Sequence, residues 1–192
     1  MILISLTPFS PKRLLFLLLA GICLFCISCF AEPVLLPVKS TPYDTQMSRI
    51  RPALQATKPE QGRQVSLNLV NHWMENLRAI PYAFSHEWKT PAEVESDAFA
   101  DCKGKAVALY EKMRTSGASN VRLVIGKRTA RSQSTHTWLE WSTADGTYLL
   151  DPTINWTACK TDQVRKDAYL PFYAYAGSRK YRATSATLVA QN

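Results

Sequence analysis

The chain has 192 residues, 46% hydrophobic, 10% aromatic and 20% charged, with 7 glycines and 11 prolines, which excludes collagen-like and wholly disordered chains and suits one globular domain. Lysine and arginine total 23 against 15 acids, a formal charge of +8, but the bases are scattered and form no stripe with interleaved aromatics. A solvated basic surface facing anionic envelope polymers or headgroups fits better than a nucleic-acid site, and no nucleic-acid partner is expected.

Lys12 and Arg13 precede the apolar run Leu14 to Phe30, broken only by Gly21 and Ser28. This is the charged and hydrophobic pattern of a secretory signal, assigned to residues 1–31. Cys23, Cys26 and Cys29 have a metal-like spacing, but they lie inside the export signal, so no metal site is expected there. Cleavage after Ala31 would release a soluble periplasmic or secreted protein beginning at Glu32. The alternative is a membrane-anchored lipoprotein, since Ile27-Ser28-Cys29 resembles a lipoprotein box, although Cys26 stands where leucine is usual. A retained anchor is the third option, because the run of seventeen residues approaches the lower length of a spanning helix. Release is preferred. It removes two bases and no acid, leaving 21 bases, 15 acids and a charge of +6. Only Cys102 and Cys159 then remain, in a compartment that permits one disulfide.

Residues 32–61 carry five prolines, Pro33, Pro37, Pro42, Pro52 and Pro59, without a sustained apolar period, and read as a linker or loosely packed arm. The globular domain is expected over 62–192. From Gly62, apolar Val65, Leu69, Trp73, Leu77 and Ile80 recur at helical spacing, with Val70 and Met74 widening the stripe, so a helix ends before Pro81. Residues 81–100 read as a connecting loop with a helical turn after Thr90-Pro91. A second helix begins at Asp101 or Cys102, with Ala106, Leu109, Tyr110 and Met113 on its core face and Gly117 as its stop.

Beyond it, Val121 to Ile125 and Thr135 to Trp141 read as strands, and a turn at Asp145-Gly146 leads into Thr147 to Leu150. Tyr169, Phe172, Tyr173 and Tyr175 form an aromatic tail that covers core or edge. Trp138, Trp141 and Trp156 are expected to pack the sheet. Helices followed by antiparallel strands predict an α+β domain with a cysteine-bearing helix packed on the sheet.

A thiol at a helix N-terminus meets unpaired N–H groups and the macrodipole, and Lys103 and Lys105 add positive charge, so Cys102 is expected to favour its nucleophilic thiolate. Asp101 opposes this with its charge, but as the cap it is partly engaged by helix N–H groups. Such a nucleophile needs a base that later returns the proton to a leaving amine, which suits histidine. His136, opening a strand, can project over a packed helix start; His72 and His86 read as helix-surface and loop residues. Asp151 ends the strand expected to pair with that of His136, fifteen residues later, where a hairpin can bring the two together to orient the imidazole.

The segments Ala100-Asp101-Cys102-Lys103-Gly104-Lys105-Ala106, Thr135-His136-Thr137-Trp138 and Tyr148-Leu149-Leu150-Asp151-Pro152-Thr153 together resemble the transglutaminase-like superfamily of papain-type thiol enzymes, which includes bacterial transglutaminase-like cysteine peptidases. Asn71 with Trp73, then Ile80-Pro81-Tyr82, then Trp88 to Glu93 resemble that group's lead-in, so the likeness spans residues 65–156. It implies a papain/transglutaminase-like core, Cys102 as nucleophile, His136 as general base and acid, and Asp151 as the orienting acid. The oxyanion hole would include the Cys102 backbone N–H, with the Trp88 indole a candidate second donor.

Some periplasmic peptidases of this group bind calcium through acids flanking the cysteine. Here Lys103, Gly104 and Lys105 follow it, so no metal and no cofactor is expected. Cys159 reads as a structural thiol, or as the partner of Cys102 in a bridge. The function implied is attack on the amide bond of a protein or peptide, an envelope component among the options, through a thioester, with hydrolysis preferred to cross-linking by analogy. The alternative is a noncatalytic envelope binding or scaffold module of the same fold.

Overall fold

In the computed structural model, residues 33–57 and 65–184 are described; the signal assignment at residues 1–31 lies outside them. Ser66 accepts the Leu69 N–H at 3.3 Å and so starts helix α2, Leu67–Ala79, which stops at Ile80 because the residue before proline is held extended. Val70, Trp73 and Met74 are buried on its inner face, whereas Leu69 is exposed. Thr90 and Glu93 form a reciprocal capping box with Pro91 in the first turn of the short helix α3, Pro91–Ser96. Helix α4, Cys102–Thr115, is capped by Asp101, and Gly117 follows it at φ 102°.

Among the described residues, seven antiparallel strands form one sheet in the order β1-β7-β6-β2-β3-β4-β5. They are β1 Val34–Val38, β2 Val121–Thr129, β3 His136–Thr143, β4 Gly146–Leu150, β5 Cys159–Lys160, β6 Ala168–Ala176 and β7 Arg179–Thr184. Alternation sorts the side chains. Leu123, Ile125, Leu139, Trp141 and Leu150 share a core with Ala106, Leu109, Tyr110 and Met113 of α4, and Val124, Trp138, Leu149 and Ala174 make a second cluster. The expected α+β class is the one observed.

Two expectations are corrected. Much of the supposed arm at 32–61 belongs to the domain: β1 pairs along β7, and Met47, Ile50, Ala53 and Leu54 are buried. Two of its prolines sit where proline is tolerated, Pro37 on an edge strand and Pro52 in the first turn of helix α1, Arg51–Gln55. A five-residue strand, a short 3-10 turn and a five-residue helix are each too brief to show a period. The aromatic tail is likewise a strand, β6, which lies inside the sheet between β2 and β7 rather than at its edge.

Gly126 permits that insertion. A Cβ there would lie 2.1 Å from the Leu170 carbonyl oxygen and 2.7 Å from the Trp138 ring, and backbone cannot give way as a flexible side chain can. Gly126→Ala is therefore expected to destabilise the protein by about 3 kcal/mol, read as a lowered unfolding midpoint in urea. A change below about 0.5 kcal/mol would show that β6 is free to shift.

Candidate active site

Cys102 is the first residue of α4 and is 7% exposed. Its N–H is among the four that a helix start leaves without an intrahelical partner. Asp101 is fully buried and accepts the Gly104 N–H at 3.0 Å on Oδ1, while its Oδ2 accepts the Ser85 N–H at 3.2 Å and the Lys103 ammonium. Lys103 also donates to the Ser85 carbonyl oxygen at 2.8 Å, so the loop after α2 is tied to the start of the cysteine helix.

The two lysines therefore do more specific work than the general positive field expected of them. Lys105, 1% exposed, donates to the Ile80 carbonyl oxygen at 2.5 Å and reaches that of Arg78 at 3.4 Å, which satisfies carbonyls left open at the end of α2. Burial, then the neighbouring Arg78 charge, lowers its pKa, with Asp151 opposing.

His136 opens β3 and stacks on Trp138, ring centroids 6.3 Å apart. The β3–β4 register pairs Leu139 with Leu150, so one further step sets Asp151 beside Trp138, within diagonal reach of His136. His136 Nε2 stands 2.7 Å from Asp151 Oδ2. Asp151 is fully buried, its Oδ1 accepting the Thr153 N–H at 3.0 Å and its Oδ2 the Tyr169 hydroxyl at 2.8 Å.

The proton affinities follow from these contacts. Burial disfavours imidazolium, but hydrogen bonds and charge from Asp151 and Cys102 outweigh it and push His136 up to about 9. Burial likewise disfavours the Asp151 carboxylate, yet the hydrogen bond and charge of His136, with the Tyr169 and Thr153 donors, hold its pKa below the usual value. His136 thus contacts Asp151 directly, and Cys102, at the start of α4, lies close enough to raise the proton affinity of His136. His72 and His86 are exposed elsewhere, the latter edge-on to Phe84.

Several features escaped the sequence reading. Arg78, on the polar side of α2, donates to the Thr153 carbonyl oxygen at 3.2 Å and to that of Ile154, and lies 4.2 Å from the Trp156 ring centroid. It braces the turn that carries Asp151. Trp156 is 64% exposed and does not pack the sheet, whereas Trp138 and Trp141 do. Tyr82 sits in the field of Cys102 and Asp101, and its pKa is raised by burial first and then by those charges; its only sequence signal was its place in Ile80-Pro81-Tyr82. Trp88, the candidate oxyanion donor, is buried in the main core. Cys159 is half-buried on β5, and it and Cys102 are both free thiols.

A cysteine-headed helix against an antiparallel sheet, with histidine and aspartate at neighbouring strand ends, is the transglutaminase-like, papain-type fold. Three solved structures of LapG from Legionella pneumophila share it. One has 14% identity, covers 79% of this chain and 85% of LapG, and has a TM-score of 0.54. An EGTA-treated structure has 14% identity, 79% and 87% coverage and a TM-score of 0.53. A calcium-bound one has 16% identity, 77% and 85% coverage and a TM-score of 0.53. At this identity the likeness is one of fold. No protein-family model matches the sequence, and no curated protein matches it.

Proposed function

We propose that this chain is an exported thiol enzyme of transglutaminase-like type that hydrolyses an amide bond of a protein or peptide through Cys102, His136 and Asp151. The observation that carries the reading is the 2.7 Å contact of His136 Nε2 with buried Asp151 Oδ2, made beside a cysteine at a helix N-terminus. Because Nε2 is committed to the carboxylate, Nδ1 is the nitrogen left to serve the sulfur.

As the Cys102 sulfur attacks the amide carbonyl carbon, its proton passes to His136. The electron pair moves to the carbonyl oxygen, where the Cys102 N–H at the positive helix end stabilises it. When the oxyanion collapses, the carbon–nitrogen bond breaks, imidazolium gives its proton to the departing amine, and a thioester remains. Neutral His136 then takes a proton from water as that water attacks the thioester, and collapse releases the carboxylic acid and restores the sulfur. Asp151 stays ionised throughout and holds the ring by its Nε2 hydrogen.

The export signal and the preference for water over an amine acceptor belong to the same proposal. The test is hydrolysis by the purified chain over a panel of proteins and peptides, with Cys102→Ala as control. Product formation that survives in Cys102→Ala overturns it, as does a Cys102–Cys159 disulfide that persists in the native protein under mild reductant, which favours the scaffold reading.

LapG has been seen calcium-bound, and some periplasmic peptidases of the group this sequence resembles bind calcium through acids flanking the cysteine. The residues here do not fit one. Asp101 Oδ1 and Oδ2 already accept two N–H groups and the Lys103 ammonium, which places a positive charge against the carboxylate a calcium ion would require. Hydrolysis is expected to be unchanged by EGTA and by added calcium, within about twofold. Loss of activity on chelation, restored by calcium, would contradict this.

A further inference from the structure

Tyr169 has a backbone that a strand residue does not ordinarily adopt. Its φ is 54°, in the left-handed region that an aromatic side chain enters only at a cost. Such a conformation persists where surrounding contacts over-determine it. Those contacts are visible. The ring stands edge-on to Trp138 at 5.3 Å and is tilted against His136 at 6.4 Å, and the hydroxyl donates to Asp151 Oδ2 at 2.8 Å. The next residue, Leu170, is the one whose carbonyl presses on Gly126, so a glycine in β2 lets β6 come close enough for the hydroxyl to reach the carboxylate.

The oxygen that Tyr169 binds is the same oxygen that His136 Nε2 meets. We propose that Tyr169 is a positioning residue of the Cys102–His136–Asp151 site: its hydroxyl locks the orientation of the Asp151 carboxylate and shares the negative charge that Oδ2 presents to the imidazole. This deepens the hydrolytic reading and rests on it. Burial and the Asp151 charge hold the phenol's pKa well above its ordinary value, so the hydroxyl remains a donor across the working pH range. Phenylalanine would preserve the packing on Trp138 and lose the donor alone.

The groups that act on this pair come from every neighbouring element. Asp151 follows β4, Cys102 and Lys105 come from α4, and Tyr169 lies on β6. Arg128 of β2 and Cys159 of β5 act on Tyr169. A carboxylate deprived of one donor binds a proton more tightly and holds imidazolium more firmly. Removing the hydroxyl should therefore move the titration of His136 upward, and removing its support of the carboxylate should slow turnover.

The experiment compares wild type with Tyr169→Phe by NMR titration of the His136 ring, pH-dependent hydrolysis and thermal unfolding. The variant is expected to raise the His136 titration midpoint by about half a unit to one unit. It should lower kcat about tenfold, the effect of losing one hydrogen bond to a charged group, with KM unchanged and an unfolding midpoint within a few degrees of wild type. Site-specific 3-fluorotyrosine at position 169, a stronger donor of nearly the same shape, should move the midpoint the other way and keeps the test open if the phenylalanine protein is poorly folded. A His136 midpoint that neither substitution moves overturns the proposal and leaves Tyr169 a packing residue. If neither wild type nor variant hydrolyses any amide while the midpoints shift as stated, the hydrolytic reading fails and the Tyr169 contact stands.

Discussion

Cys102→Ala is expected to abolish amide hydrolysis, by about 10⁴-fold to 10⁶-fold in kcat, in a protein that remains folded. The loss is large because the sulfur is the atom that forms the thioester, and no neighbouring group can replace it. The second thiol, Cys159, is on β5 with its sulfur 3.9 Å from both the Leu149 carbonyl oxygen and the Asn155 side-chain nitrogen; burial, then the Asp151 charge, raises its pKa and suppresses its thiolate. Alanine suits the first turn of a helix, and the cap on Gly104 comes from Asp101, so stability should change by less than about 1 kcal/mol. Steady-state hydrolysis paired with circular dichroism reads both halves. The same variant should lower the His136 titration midpoint, because Cys102 is one of the groups that raise it.

Asp151→Asn is expected to cost about 10³-fold to 10⁴-fold in kcat while leaving the backbone in place. The amide cannot stabilise imidazolium as a carboxylate does, and its NH₂ group can turn toward Nε2 and select the wrong tautomer. In wild type, imidazolium persists until pH approaches about 9, so activity that needs its proton for the leaving amine should fall on the alkaline side near that value. In Asp151→Asn that limb moves to lower pH. An alkaline limb still near 9 in the variant would show that Asp151 does not govern His136.

Stability carries the same signs. His136 is raised above its ordinary 6.5, so its contribution is full below pH 6.5 and is lost as pH rises toward 9. Asp151 is lowered below its ordinary 3.8, so its contribution is full above about 4 and is lost on acidification. The pair therefore adds a plateau between roughly pH 4 and 6.5 that Asp151→Asn lacks, visible as a flatter profile of unfolding temperature against pH.

How much of this was legible can be followed residue by residue. The cysteine helix was, because Asp101 caps it and its apolar face repeats over fourteen residues. So were β3 and β4, whose alternation and Asp-Gly turn set His136 on one strand and Asp151 just past the end of its neighbour, and the short helix at Thr90-Pro91. The first described stretch, residues 33–57, was not, since neither the edge strand β1 nor the brief helices after it are long enough to carry a period. β6 was hidden for another reason. Apolar and aromatic residues fall on both its faces, Tyr173 and Tyr175 against the helical core and Ala174 in the second cluster, so no simple alternation marks it.

Sequence alone determined the local elements that carry Cys102 and His136 and the strand that Asp151 follows, because capping, helical spacing and strand alternation are short-range and written in neighbouring residues. Tertiary structure decided what surrounds them. Arg78 meets the Asp151 turn across 75 positions of chain, and Tyr169 meets Asp151 from a strand that enters the sheet out of sequential order. Contacts of that kind depend on strand order, register and the close approach allowed by Gly126, which arise only when distant segments bury their apolar faces together.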